Sequence, residues 1–170
     1  MNLSTAPAGW LLLVISLPSN RATPRMRVWR ALKGLGAAVL RDGVYLLPGS
    51  QSARAAFTQQ AQEVVRSGGM AQLLRVETPE TERDRQFHAL FDRAADYARI
   101  MDTVRKLKFG RRRTAAARTL KQLRRDFESI HAIDYFPGPA AEQAGQMLSE
   151  AEMALAALLS PDEPQPQAGR

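Results

Sequence analysis

WRALKGLGAAVLRDGVYLLP, residues 29–48, sets a helix end, a strand, an Asp42-Gly43 turn and a second strand in twenty residues. Asp-Gly between two apolar runs is the strongest short hairpin signal, because both central residues of a type I′ turn need positive φ. The expected strands are Ala37–Arg41 and Val44–Leu47. Upstream, Trp10 to Leu17 is apolar on both faces, as suits a central strand covered by helices, and Pro18 ends it. Thr23 is an expected N-cap with Pro24 at the first helical position. Val28, Trp29, Leu32 and Leu35 form one helix face, and Gly34 and Gly36 stop it.

Downstream, Pro48-Gly49 breaks the chain and Ser50 is placed to cap a helix over about residues 52–67. Its apolar face is Ala53, Ala56 or Phe57, Ala61 and Val64. Ser67-Gly68-Gly69 ends it, and Met70–Val76 reads as a further strand. The order β-α-β-β-α-β over residues 9–78 predicts a ferredoxin-like domain, an antiparallel sheet with both helices on one face.

Thr78-Pro79 marks the expected domain boundary. Beyond it the period becomes helical. One stripe is Phe87, Leu90, Ala94, Tyr97, Met101 and Val104; a second is Ala116, Leu120, Leu123, Phe127 and Ile130; a third is Ala144, Leu148, Ala151, Leu155 and Leu158. Gly110 and the run Tyr135-Phe136-Pro137-Gly138-Pro139 separate them. Residues 79–160 are therefore expected to be a helical domain of about three helices, and 161–170 a disordered tail. The fold class is α+β.

The chain has 170 residues, is 45% hydrophobic and carries a net charge of +7. That charge favours polyanionic partners, nucleic acid first. No cysteine is present, which removes disulfides, thiolate metal sites and thiol catalysis. The two histidines, His88 and His131, form no metal motif. No run approaches the ~18 apolar residues of a membrane helix, and Trp10 to Leu17 lacks the basic flank and cleavage site of a signal peptide. A cytoplasmic protein with no membrane association is expected.

Cations are concentrated. Residues 105–125 hold Arg105, Lys106, Lys108, Arg111, Arg112, Arg113, Arg118, Lys121, Arg124 and Arg125 with no acid among them. Such a segment suits phosphate-backbone contact. The competing reading is a solvated face whose cations pair with acids such as Glu80, Glu82, Asp84, Glu142 and Glu150. No zinc finger or helix-turn-helix accompanies the patch, so base readout has no support. A second basic group is Arg21, Arg25, Arg27, Arg30, Lys33 and Arg41, with Asp42 the single acid in the first fifty residues. Arg25 falls with Trp29 and Leu32 on the helical wheel. It sits in the first helical turn, where free N–H groups favour anions, so Arg25 and Arg21 are a candidate site for a small dianion.

Enzyme motifs are lacking. Gly34-x-Gly36 is a helix terminus and not a phosphate loop. Asp92 with Asp96 reads as a solvated face, and His131 beside Asp134 as structural. No catalytic residue, metal ligand or cofactor is assigned, and the protein is expected not to be an enzyme.

WLLLVISLP, RMRVWRALKGLGAAVLRDGVYLLPG, FHALFDRAADYARI and HAIDYFPGPA together resemble the N-terminal region of ChrB-type chromate-resistance regulators, over about residues 9–158. The resemblance implies a chromate-responsive transcriptional regulator, with operator DNA as partner and chromate as effector, chromate or sulfate being the ligand expected at an anion site. It also implies a further C-terminal chromate-resistance domain in full-length members. Residues 9–78 are similar, more distantly, to the middle domain of phenylacetate-repressor (PaaX-type) regulators and to the small ferredoxin-like nuclease of CRISPR systems. Those nucleases hold a metal with an Asp at the end of the first strand. Here the stretch is Ile15-Ser16-Leu17-Pro18, and a hydroxyl cannot replace that charge. A homodimer is expected, because a ferredoxin-like sheet leaves an edge or face to cover. The alternatives are an interaction module that binds a protein partner and no DNA, and a divergent metal-dependent nuclease.

Overall fold

The computed structural model describes residues 9–18, 22–78, 81–109 and 113–159. These fall into two compact units, one through Phe91 and one from Asp92.

The first unit is built from β1 (Trp10–Ser16), α1 (Ala22–Gly34), β2 (Ala38–Arg41), β3 (Val44–Pro48), α2 (Gln51–Arg66), β4 (Met70–Val76) and α3 (Thr81–Ala89). The strands make one four-stranded antiparallel sheet in the order β2-β3-β1-β4. This is the ferredoxin-like arrangement expected from the β-α-β-β-α-β order. Leu11 pairs with Leu47 and Leu13 with Tyr45, and all four are buried on one face. Ile15 and Leu73, on that same face, share clefts with α1 and α2, so both helices lie over it. The helices contribute Val28 and Leu32 from α1 and Ala53, Phe57 and Val64 from α2 to the core. Between Ala56 and Phe57, it is Phe57 that is buried.

Ser50 caps α2 as its sequence position implies, its side chain accepting from the Ala53 N–H at 3.1 Å. Thr23, by contrast, lies inside the first turn of α1, which begins at Ala22. The Asp42-Gly43 hairpin forms, but not as type I′. Gly43 alone takes positive φ, +75°, while Asp42 does not. The ladder slips between Val39 and Arg41, and this bulge supplies the twist that a primed turn would have given. Gly43 is required on a second count. The Ile15 N–H donates to its carbonyl at 2.7 Å, and a Cβ there would stand 2.5 Å from the Ile15 oxygen. Gly69 meets the other side of β1 in the same way, where a Cβ would collide with the Ser16 oxygen.

The stripe from Phe87 to Val104 is not one helix. Leu90 and Phe91 close a tight turn on the Phe87 and His88 carbonyls, and the Asp92 carboxylate accepts from the Ala94 N–H at 2.8 Å to start a new helix. Leu90 is 44% exposed, so the apolar phase carries across the break without being buried there. The unit boundary accordingly lies past Thr78-Pro79: α3 belongs with the sheet. Its Phe87 and His88 meet the Trp10 ring edge-on, at 5.3 and 5.1 Å, and Phe91 stacks on it at 5.7 Å. Asp84 takes the Trp10 indole N–H and the Thr78 hydroxyl, both at 2.8 Å.

The second unit holds α4 (Ala94–Lys106), α5 (Arg113–His131) and α6 (Pro139–Leu159), packed on one another. Ile100 and Val104, Leu120 and Leu123, and Leu148, Ala151 and Leu155 form its core. A second cluster, Tyr97, Met101, Ala141 and Ala144, continues it. The α5–α6 turn is tied to α4 by Tyr97, whose hydroxyl donates to Asp134 at 2.9 Å, while Asp134 also accepts from the Phe136 N–H at 3.2 Å. Burial first, and Asp134 second, hold the Tyr97 phenol well above its ordinary pKa. The HAIDYFPGPA segment is thus a turn lock. Residues 161–170 lie outside the described residues.

Candidate nucleic-acid interface

The basic segment divides when its side chains are followed one by one. On α5, Ala116, Leu120 and Leu123 face the core. Arg118, Lys121 and Arg125 stand opposite that stripe, spaced three and four residues apart, so they form one exposed ridge about 10 Å long at 1.5 Å per residue. None of the three forms an ion pair with a described carboxylate.

Three other expected members are engaged within the unit. Arg124 makes a two-pronged contact with Glu152, at 3.1 and 2.6 Å, adds Ser149 at 3.2 Å, and lies 5.8 Å from the Phe127 ring centre. Those Glu152 hydrogen bonds hold the guanidinium still more firmly protonated. Arg113 donates to the Leu158 carbonyl at 2.8 Å, near the C-terminal end of α6. Arg105 pairs with Asp102 at 2.7 Å. Lys106 and Lys108 are exposed, whereas Leu107 and Phe109 beside them turn into the core cluster. Arg111 and Arg112 lie outside the described residues.

Of the acids expected to neutralise the segment, Asp84, Glu82 and Glu150 act elsewhere, and Glu142 forms no ion pair with a described cation. Asp84 serves Trp10 and Thr78, Glu82 meets Arg85, and Glu150 accepts from Gln146. Glu80 lies outside the described residues. The neutralisation that does occur comes from Glu152 and Asp102, which the charge pattern did not single out.

Arg25 sits differently from its helical-wheel position. Val28 and Leu32 are each 1% exposed, while Trp29 is 41% exposed and Arg25 is exposed beside it. The pair lies on the rim of the helix–sheet contact. Together with Ile15, Ser16, Leu17, Met26, Asp42, Gly43 and Tyr45 they line a cleft of about 460 Å³ at the end of β1. The guanidinium already donates to the Leu17 carbonyl at 3.1 Å, and Asp42 contributes a carboxylate to the same cleft. Both features weaken it as a dianion site. Arg21 lies outside the described residues. Arg27 pairs with Glu63 at 2.9 Å, and Lys33 stands 5.1 Å over the Trp29 ring. Among the described residues no three His, Asp or Glu side chains gather as a metal cage, and no helix is long and apolar enough to cross a membrane.

A family model described as "Protein ChrB, N-terminal" matches residues 25–159, which include α1 to α6 almost whole. The chain belongs to the ChrB N-terminal family. "Protein ChrB" of Cupriavidus metallidurans is 36% identical over 169 residues, covering 98% of this chain and 52% of that relative. This ChrB N-terminal chain therefore spans about half the length of the curated relative it matches. The residues matched by the ChrB family contain the α5 ridge and the α1 and hairpin side of the Arg25 cleft, whose β1 side, Ile15 to Leu17, precedes the match.

Proposed function

We propose that this chain is a DNA-binding module of a chromate-resistance regulator, and that the α5 ridge is where it meets phosphate. The observation that carries the reading is the division within the basic segment. Arg113 and Arg124 are held by the fold, and Arg124 takes Glu152, while Arg118, Lys121 and Arg125 stand together on the solvent face without an ion pair to a described acid. Three like charges along one helix face repel each other, and a polyanion relieves that repulsion. Lys106 and Lys108 extend the positive surface at the end of α4. Membership of the ChrB family supports a place in chromate resistance, as the resemblance of the sequence implies.

Binding is directed mainly to the backbone, since the ridge offers cations and the neighbouring Gln122 already donates to Asp126 at 2.8 Å. Chromate is the proposed effector. The test is gel retardation of promoter DNA from a chromate-resistance operon, with and without chromate, using the wild type and the Arg118→Ala/Lys121→Ala/Arg125→Ala variant. Retention by the wild type, lost in the variant and altered by chromate, is the expected result. Wild-type protein that leaves the promoter unshifted at low salt overturns the reading in favour of a protein-binding module.

A further inference from the structure

The two edges of the sheet are unlike. β2 is four residues long, slips register at Leu40 and ends in Arg41, all of which discourage edge pairing. β4 is seven residues long and pairs with β1 without a slip from Met70 to Val76. It contains no proline, no lysine and no bulge. Among the described residues nothing pairs with its outer side. Apolar groups flank that open edge on both faces. Met70 is 73% and Leu74 45% exposed on one face. On the other, Leu73 lines an apolar cleft of about 570 Å³ with Ala61 and Val65 of α2, and Val65 is 57% exposed.

We infer that β4 pairs antiparallel with β4 of a second copy of this chain, about a two-fold axis through Leu73. The strand is complementary to itself in that register. A two-fold axis normal to the sheet returns each face to itself, so only pairings between residues of like parity are allowed. Leu73 is the midpoint of Met70–Val76, and centring there pairs the whole strand. Met70 then opposes Val76 of the second copy, Ala71 opposes Arg75, and Gln72 opposes Leu74. Arg75 is the strand's single charge. It faces a small neutral residue and stands about 13 Å along the strands from its own copy, four residues at ~3.3 Å each. The added strand lies ~4.8 Å from β4. It brings the second α2 alongside the first, so that Val65 and Leu73 of both copies close the cleft between them. Any other register leaves strand ends unpaired. A second copy satisfies the whole edge and covers the Val65–Leu73 cleft with no further component, so it is the occupant proposed. The inference rests on the sheet and is independent of DNA binding.

Sedimentation velocity on the full chain reads the association, and cysteine crosslinking reads the register, the native sequence having no cysteine. The wild type is expected to be a dimer. Met70→Lys/Leu74→Lys places gatekeeper charges on exposed positions and is expected to weaken association about tenfold or more with an unchanged circular-dichroism spectrum. Leu73→Cys is expected to crosslink on oxidation, since directly opposed Cα atoms of antiparallel strands lie about 4.5–5.5 Å apart, within the range a disulfide spans. Val39→Cys, on the β2 edge, is expected not to. A monomeric wild type, a dimer that survives the double lysine change, or equal crosslinking at Val39 and Leu73 overturns the proposal. Should the lysine variant misfold, the two cysteine variants decide it.

Discussion

Arg124 and Arg125 are adjacent in sequence and opposite in role. Arg124 reaches Glu152 and Ser149 on α6, while Arg125 points along the free ridge. Arg124→Ala is expected to lower Tm, through loss of a half-exposed ion pair worth up to about 1 kcal/mol and of packing on Phe127, and to leave the salt slope of DNA binding unchanged. Arg125→Ala is expected to leave Tm alone and reduce that slope by about 1. Thermal melts and binding isotherms on the two variants check both halves. Asp84 makes a pH-dependent prediction. The hydrogen bonds from Trp10 and then Thr78 hold its carboxyl below the ordinary range. A depressed carboxylate pKa stabilises the fold above the unfolded value, about 3.9, and that stability is lost as pH falls through the lower folded value. The Tm advantage of wild type over Asp84→Asn should therefore be present at neutral pH and shrink below about pH 4. A pH-independent difference would contradict this. Residue roles of this kind were only partly legible in the sequence. That Ser50 caps a helix follows from local chemistry. Which arginine of a run meets a carboxylate depends on the azimuth of the neighbouring helix, and Arg124 and Arg125 differ only in that.

At the scale of elements, the hairpin and its flanks read directly from apolar runs and turn residues, and β4 forms over its expected span. The departures share a cause. The Phe87-to-Val104 stripe stays in helical phase across Leu90–Arg93, so periodicity alone joins α3 to α4. The break comes from Asp92, whose carboxylate starts the second helix, and from Trp10, a residue far back in the chain, which draws Phe87 and Phe91 onto the sheet. The turn departs from type I′ for a related reason: a bulge in β2 supplies the twist that Asp-Gly ordinarily provides. Gly43 is nevertheless indispensable, because positive φ and the Ile15 carbonyl both exclude a side chain. Gly43→Ala is expected to cost more than about 1 kcal/mol in a denaturant titration, the left-handed strain adding to the clash. A change within error would mean that the hairpin relaxes freely. Replacing Gly34, where a Cβ meets nothing within 4 Å, is the matched control.

The molecule as a whole joins a ferredoxin-like unit to a helical one and carries a charge of +7. The α+β class and the helical character of the second half follow from periodicity repeated over many residues, whereas the expected three later helices are four, because α3 breaks from α4. The interface is less legible, since ten cations without an acid look alike until the core assigns some of them to the fold. What remains exposed is a short, regular ridge on α5, and DNA binding through that ridge is the central claim. Its most direct measurement is the salt dependence of promoter binding, log K against log salt concentration, for the wild type and Arg118→Ala/Lys121→Ala/Arg125→Ala. Each phosphate contact contributes about 0.9 to the slope, so the variant's slope should be shallower by close to 3 with the fold intact. Equal slopes for the two proteins would contradict the claim.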